Sequence, residues 1–280
     1  MFTNTLSFKG KIRVVLSEFK SLILNTFNIK KRLFLYKNWK NIKKPKKKFA
    51  IVIGGGPSFN SKIASNIFFK RKYFDIIAIN YYCLNKFSIK LIPDYYLLSD
   101  PEQVQTEKIK VKKINQIIKK YIIKHKIKFI SPYDKRWGFY TKPYLQFNDS
   151  QNLITNNIDP RKPRGYRSNT GMKAIAMMLA LGYKKIFILG FDYDYPRKIT
   201  INSKNKLILE ENHHYGVKYV DVSNDFYSIA HALNWWALDF WSMRKFKSKK
   251  IINVTNKSMI DVFRRISQEN FIKKLKKHNS

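Results

Sequence analysis

The sequence predicts an α/β fold, a mostly parallel sheet with helices on both faces, and three observations lead there. From Phe49 onward, short apolar runs rich in β-formers alternate with amphipathic helical stretches, and strands separated by helices pair in parallel because each crossover returns the chain to the same end of the sheet. The first run opens directly into Gly54-Gly55-Gly56-Pro57-Ser58. A helix start, Asn169-Thr170-Gly171, precedes a later run that ends in Phe191-Asp192-Tyr193-Asp194-Tyr195.

In chain order, residues 1–47 hold mixed apolar and basic segments (12–24 and 29–36), closed by the charge run 43–48, which reads as a linker. Strands follow over 49–53, 75–79, 95–98, 128–130, 186–189 and 251–254, each a short β-branched or aromatic run between polar boundaries. Three helices are readable. Residues 104–123 are strongly basic on one side, and 170–181 carry Met172, Ile175, Ala176 and Leu179 at helical spacing. Residues 224–246 present Phe226, Ile229, Leu233, Trp236, Ala237, Phe240 and Met243 at three- and four-residue intervals, a stripe expected to be core packing rather than a base-stacking platform. Ser223 or Asn224 would cap that helix. The segments 131–168 and 196–221 are long, polar and aperiodic, the mark of functional or disordered loops.

The chain has 280 residues, 44% of them hydrophobic, enough for a sizeable core. Lys and Arg number 56 against 18 Asp and Glu, a formal charge of +38. Such charge favours polyanions such as nucleic acid, an anionic leaflet or a phosphorylated glycan; the abundance of Lys, Ile, Asn, Phe and Tyr equally suits an A/T-rich genome. Cys83 is the one cysteine, which excludes an internal disulfide and a multi-cysteine zinc site and fits a reducing compartment. Residues 1–30 show no secretory signal pattern, and the longest apolar stretch, 171–191, is broken by Lys173, Lys184 and Lys185. A cytoplasmic protein without a spanning helix is expected, and the basic, apolar ends 1–47 and 271–277 extend that to peripheral attachment at the inner face of the cytoplasmic membrane.

Four motifs carry candidate chemistry. A strand running into three glycines lets a ligand approach main-chain N–H groups, or is an ordinary tight turn. It lacks the third glycine of a dinucleotide fingerprint, where Phe59 stands, and the Gly-Lys-Ser/Thr of a triphosphate loop. Asn169-Thr170-Gly171 offers a cap and exposed amides to an anion, with Arg167 just upstream; it is also simply a good helix start. Asp192 and Asp194 have the spacing of a metal-binding pair, or Asp192 satisfies backbone groups at a strand end. His213 and His214, in Asn212-His213-His214-Tyr215-Gly216, are candidates to take a proton from a hydroxyl, or lie on the surface without a role.

Taken in order over residues 49–266, these motifs resemble the bacterial sialyltransferases of lipooligosaccharide biosynthesis (glycosyltransferase family 42). They also resemble the related MptE-like domain, which occurs in motility accessory proteins that glycosylate flagellin. The most specific portion is 167–195, with its Arg-x-x-Thr-Gly start, Ala-rich helix, Leu-Gly-Tyr-Lys and Gly-x-Asp. The resemblance implies a single Rossmann-like domain over 48–266 with a lid at about 196–221, flanked by a basic amphipathic extension, 1–47, and a basic tail, 267–280. It implies an inverting transfer of a nonulosonic-acid-type sugar from a CMP-sugar to a glycan hydroxyl, without a metal or other cofactor.

By the same resemblance the donor would meet Gly54, Gly55, Gly56, Pro57 and Ser58, with Gly55 where the family carries asparagine. Asn80, Asp100, Arg167, Asn169, Thr170, Gly171 and Asp192 complete the donor set, Asp100 standing where the sialyltransferases have asparagine. His214 would be the general base. The family's phosphate-binding tyrosine falls on Asp194, so Tyr193 or Tyr195 would supply the phenol. The implied partners are the CMP-sugar, a glycan acceptor that the basic ends would suit to a lipid-linked form, an anionic membrane surface and, as an open alternative, a second copy of the chain; no specific nucleic acid is expected. The competing reading is an MptE-type diphosphokinase with a triphosphate donor and magnesium on Asp192 and Asp194. A non-catalytic nucleic-acid binder is favoured by charge alone.

Overall fold

In the computed structural model the described residues are 16, 29–104, 109–149, 158–162, 169–213, 216–221, 233, 237, 239–240, 243–246 and 248–277. An eight-stranded, all-parallel sheet forms the frame. Its strands are β1 (Phe49–Ile53), β2 (Phe74–Ile79), β3 (Tyr95–Leu97), β4 (Lys128–Pro132), β5 (Leu145–Phe147), β6 (Lys185–Leu189), β10 (Ile251–Asn253) and β11 (Arg264–Arg265), in the order β11-β10-β6-β1-β2-β3-β4-β5. The chain thus winds outward from β1 to β5, then crosses back to place β6 on the other side of β1. Between β1 and β6 the winding reverses, and in a sheet of this kind the crevice lies at that point, outside the carboxyl ends of the strands.

Alternation along β1 shows why helices cover both faces. Ala50 and Val52 belong to one buried cluster, Ile51 and Ile53 to the other. On the first face lies α4 (Thr170–Leu181), where Met172, Ile175 and Ala176 are buried. On the second lie α2 (Ser61–Phe69), α3 (Ile109–Lys124) and α5 (Gln268–Lys277), contributing Ile63, Ile118 and Phe271. Helix α1 (Ile29–Lys40) covers the edge strand β5: Asn38 Oδ1 accepts from the Gln146 N–H at 3.0 Å, and Trp39 Nε1 donates to the Gln146 carbonyl at 2.9 Å. Both free backbone groups of that edge residue are satisfied, which blunts it against pairing with another chain.

Several expectations change. The charge run 43–48 is no free linker at Lys47, whose ammonium reaches the Asp75 carboxylate at 3.2 Å and donates to the Phe74 carbonyl at 2.7 Å. Residues 101–104 form a 3₁₀ turn, so the predicted helix 104–123 is observed as Ile109–Lys124. The aperiodic segment 196–221 holds a three-stranded antiparallel sheet of β7 (Ile199–Ile201), β8 (Leu207–His213) and β9 (Gly216–Asp221). Phe271, read as an apolar residue of the tail, is buried against Phe187 and Phe74, with ring centroids 4.8 and 6.2 Å away. It is thereby withdrawn from the membrane contact expected of it. Of the helix predicted over 224–246, most residues, with its caps, lie outside the described set; Leu233, Ala237, Asp239, Phe240 and Met243 are helical.

Candidate functional site

A cavity of about 210 Å³ occupies the crevice between β1 and β6. Four segments build it: the turn after β1, the turn after β2, the loop after β6 and the start of α4, with His213 and Asp239 closing the sides. The strand order alone explains the convergence, because every one of these segments leaves or meets the sheet at its carboxyl end.

The glycine triplet works by close approach. None of the three has a left-handed φ. A Cβ on Gly54 would stand 2.4 Å from the Gly190 carbonyl oxygen, and one on Gly56 would stand 1.7 Å from Asp192 Oδ2. The Gly54 and Gly56 amides donate to the Leu189 and Gly190 carbonyls at 2.7 and 2.9 Å, so they extend the sheet rather than facing a phosphate. The expected cradle narrows to Gly55, whose Cβ position lies 3.4 Å from His213 Nδ1.

Opposite the triplet, Asn169 caps α4: its Oδ1 accepts from the Met172 N–H at 2.8 Å, while its Nδ2 donates to Asp239 Oδ2 at 2.8 Å. Thr170 shares a hydroxyl hydrogen bond with Ser99 at 2.9 Å. The Thr170 and Gly171 amides are the first two of the helix, which have no carbonyl partner within it and sit at the positive end of its dipole. An anion lodged there gains hydrogen bonds and a favourable field.

Asp192 follows β6 and accepts from Ser58 Oγ at 2.9 Å. Burial pushes its carboxyl above the usual range; the Ser58 hydroxyl opposes that and the neighbouring Asp194 charge adds to it. Asp194 is itself matched with Lys198 at 3.1 Å. Tyr193 holds φ at +53°, an uncommon conformation for a non-glycine residue, and packs edge-on against Phe240 at 5.8 Å. Asn80, at the end of β2, also has a left-handed φ of +51°, and its buried Oδ1 has no hydrogen-bond partner. An acceptor in that state can take a donor from water or from a bound molecule.

The cavity therefore brings together Gly54, Gly55, Gly56, Asn80, Asn169, Thr170, Gly171, Asp192 and Tyr193 of the expected set. Pro57, Ser58 and Asp100 stand outside its lining, Ser58 acting through Asp192 and the Asp100 N–H bonding to Gln103 Oε1 at 3.2 Å. Arg167, His214 and the side chain of Tyr195 lie outside the described residues. His213, at the end of β8 where it pairs with Gly216, is the histidine placed at the cavity. Sequence reasoning missed Tyr81, Lys198 and Asp239; the last had a visible signal, as the one acid inside the aromatic stripe.

A doubly wound parallel sheet with a cavity at its point of reversal defines a Rossmann-like fold. The chain belongs to the MptE-like family, described as 6-hydroxymethylpterin diphosphokinase MptE-like, which matches residues 20–198. A transferase-like function is what that membership supports. No curated protein matches the sequence. Among solved structures, the MAf glycosyltransferase from Magnetospirillum magneticum AMB-1 is similar at 13% identity with a TM-score of 0.48. The similarity covers 86% of this chain, which spans 38% of that enzyme. No helix among the described residues is long and apolar enough to cross a membrane.

Proposed function

We propose that the chain is an inverting, sialyltransferase-like glycosyltransferase that passes a nonulosonic-acid-type sugar from a CMP-sugar to a hydroxyl of a cell-surface glycan. The observation that carries the reading is the meeting, in one cavity, of the α4 amides, the partnerless Asn80 Oδ1 and His213. The cytidylate leaves as a phosphate, and the Thr170 and Gly171 amides are prepositioned for the charge that develops on it. Asn80 Oδ1 and the Asp192 carboxylate accept from ribose hydroxyls or the base amine. His213, across from the glycine turn, takes the acceptor proton as the hydroxyl attacks the face opposite the phosphate, which inverts the anomeric centre. His214, which the resemblance names as the base, is the alternative.

A second reading, a diphosphokinase of the MptE type, is favoured by the family membership and by the carboxylates of Asp192, Asp194 and Asp239 around the cavity. It calls for a triphosphate with magnesium. Asp194 is committed to Lys198 and Asp192 to Ser58, and no three acidic, His or Cys side chains among the described residues converge as a metal-ligand set. A cation would have to displace both of these partners, and no step is routed through one.

Calorimetry with CMP and with ATP, each with and without chelator, tests the proposal. CMP binding that survives chelation, followed by turnover of a CMP-sugar in excess chelator, supports glycosyl transfer. Binding of ATP alone, lost on chelation and restored by magnesium, refutes it and moves the chain to the second reading.

A further inference from the structure

Because the eight strands run parallel, their starts gather at the end of the sheet opposite the cavity. That end is basic strand after strand. Lys48, Lys72 and Lys90 lead into β1, β2 and β3, Lys128 and Lys185 begin β4 and β6, and Lys250 leads into β10; all six are exposed. The acids near them are already matched, Asp75 with Lys47 at 3.2 Å and Asp94 with Arg71 at 2.6 Å. Asp192, Asp194 and Asp239 gather at the opposite end, around the first cavity.

Large apolar side chains stand out among these lysines. Phe69 is 77% exposed, Ile89 78% and Ile123 53%, and they come from three separate segments: the end of α2, the turn before β3 and the end of α3. Between them lies a cavity of about 410 Å³ lined in part by Phe68, Arg71, Lys90, His125 and Lys126. Helix α5 reaches the same end, since Phe271 lies against Phe74 at the start of β2 and the exposed Lys273 and Lys274 follow it.

We propose that this end of the domain docks on an anionic lipid bilayer, with Phe69, Ile89 and Ile123 entering the interface and the surrounding lysines meeting headgroup phosphates. Protruding apolar groups ringed by cations suit a surface that is apolar beneath and anionic on top. A nucleic acid would use the cations and leave Phe69 and Ile89 in water. The docked orientation turns the nucleotide cavity away from the bilayer, so the acceptor approaches from the solvent side. The inference does not depend on which donor the cavity takes.

The test is co-sedimentation of the full chain with vesicles of phosphatidylcholine alone and of phosphatidylcholine with about one-third phosphatidylglycerol, at low and raised salt. The protein should pellet only with the anionic vesicles at low salt. Lys90→Gln with Lys126→Gln should weaken binding about 25-fold, from about fivefold per lysine. Phe69→Ser with Ile89→Ser, at unchanged charge, should weaken it by about 10-fold or more while leaving binding to a DNA duplex unaltered. These side chains are exposed, and circular dichroism checks that both variants fold. The proposal is overturned if the wild type stays in the supernatant, if either variant pellets like the wild type, or if the serine substitutions weaken duplex binding as much as vesicle binding.

Discussion

Asn169 holds two parts of the site with one side chain, and its removal can be worked out group by group. Asn169→Ser keeps a side-chain oxygen at the cap position but withdraws the donor from Asp239, which is 8% exposed; a hydrogen bond to a charged acceptor is worth about 1.5–3 kcal/mol. Asn169→Ala also loses the cap on the Met172 N–H, a further cost of about 1 kcal/mol. Asn169→Asp keeps the cap but sets a carboxylate against Asp239. The Asp variant should therefore be destabilised near neutral pH, where both acids are ionised. It should recover as pH falls and one of them takes a proton, because each raises the pKa of the other. Urea and thermal unfolding should each rank wild type above Ser and Ser above Ala, the thermal midpoints of Ser and Ala differing by about 2–4 °C for each kcal/mol in a chain of this size. Equal midpoints for Ser and Ala would show that the cap contributes nothing. An Asp variant as stable as wild type at neutral pH would show that Asp239 does not face this residue.

Three other outcomes are expected. His213→Ala should lower turnover by roughly 10²–10⁴ with donor affinity nearly unchanged; if His214→Ala does so instead, the base is the neighbouring residue. Asp192→Asn should weaken donor binding yet raise the unfolding midpoint at neutral pH. A carboxyl held above its usual pKa adds stability while protonated and loses that contribution as pH rises through its folded value. The gain should shrink on acidification, and a pH-independent gain would contradict the buried charge. Gly56→Ala, with its Cβ 1.7 Å from Asp192 Oδ2, should cost about 1–3 kcal/mol, whereas Gly55→Ala, with its nearest neighbour at 3.4 Å, should stay within about 0.5 kcal/mol; comparable urea midpoints for the two would refute the close-approach account of the triplet.

Much of the frame was readable because it is written in contiguous residues. The run 49–53 and the helix 170–181 appear with the bounds their sequence implies, each a contiguous, mainly apolar pattern ended by glycine or a cap residue. Strand β5 was not readable. It is three residues long, and its edge is completed by Asn38 and Trp39 from more than a hundred residues away. The small sheet β7–β9 was missed for a different reason: Ile201, Val217 and Tyr219 are exposed, so no buried face imposes the alternation by which a strand is recognised.

The site shows the same division. The cap at Asn169 is a local signal and forms as its sequence implies, while the need for glycine at 54 and 56 comes from a loop that begins at Gly190. Asp239, an acid within a packing stripe, takes its role from a partner 70 residues earlier. What turns a helix start, a glycine turn and a hairpin into one cavity is the strand order, which reverses between β1 and β6, and a strand order is a property of crossovers that no short pattern contains.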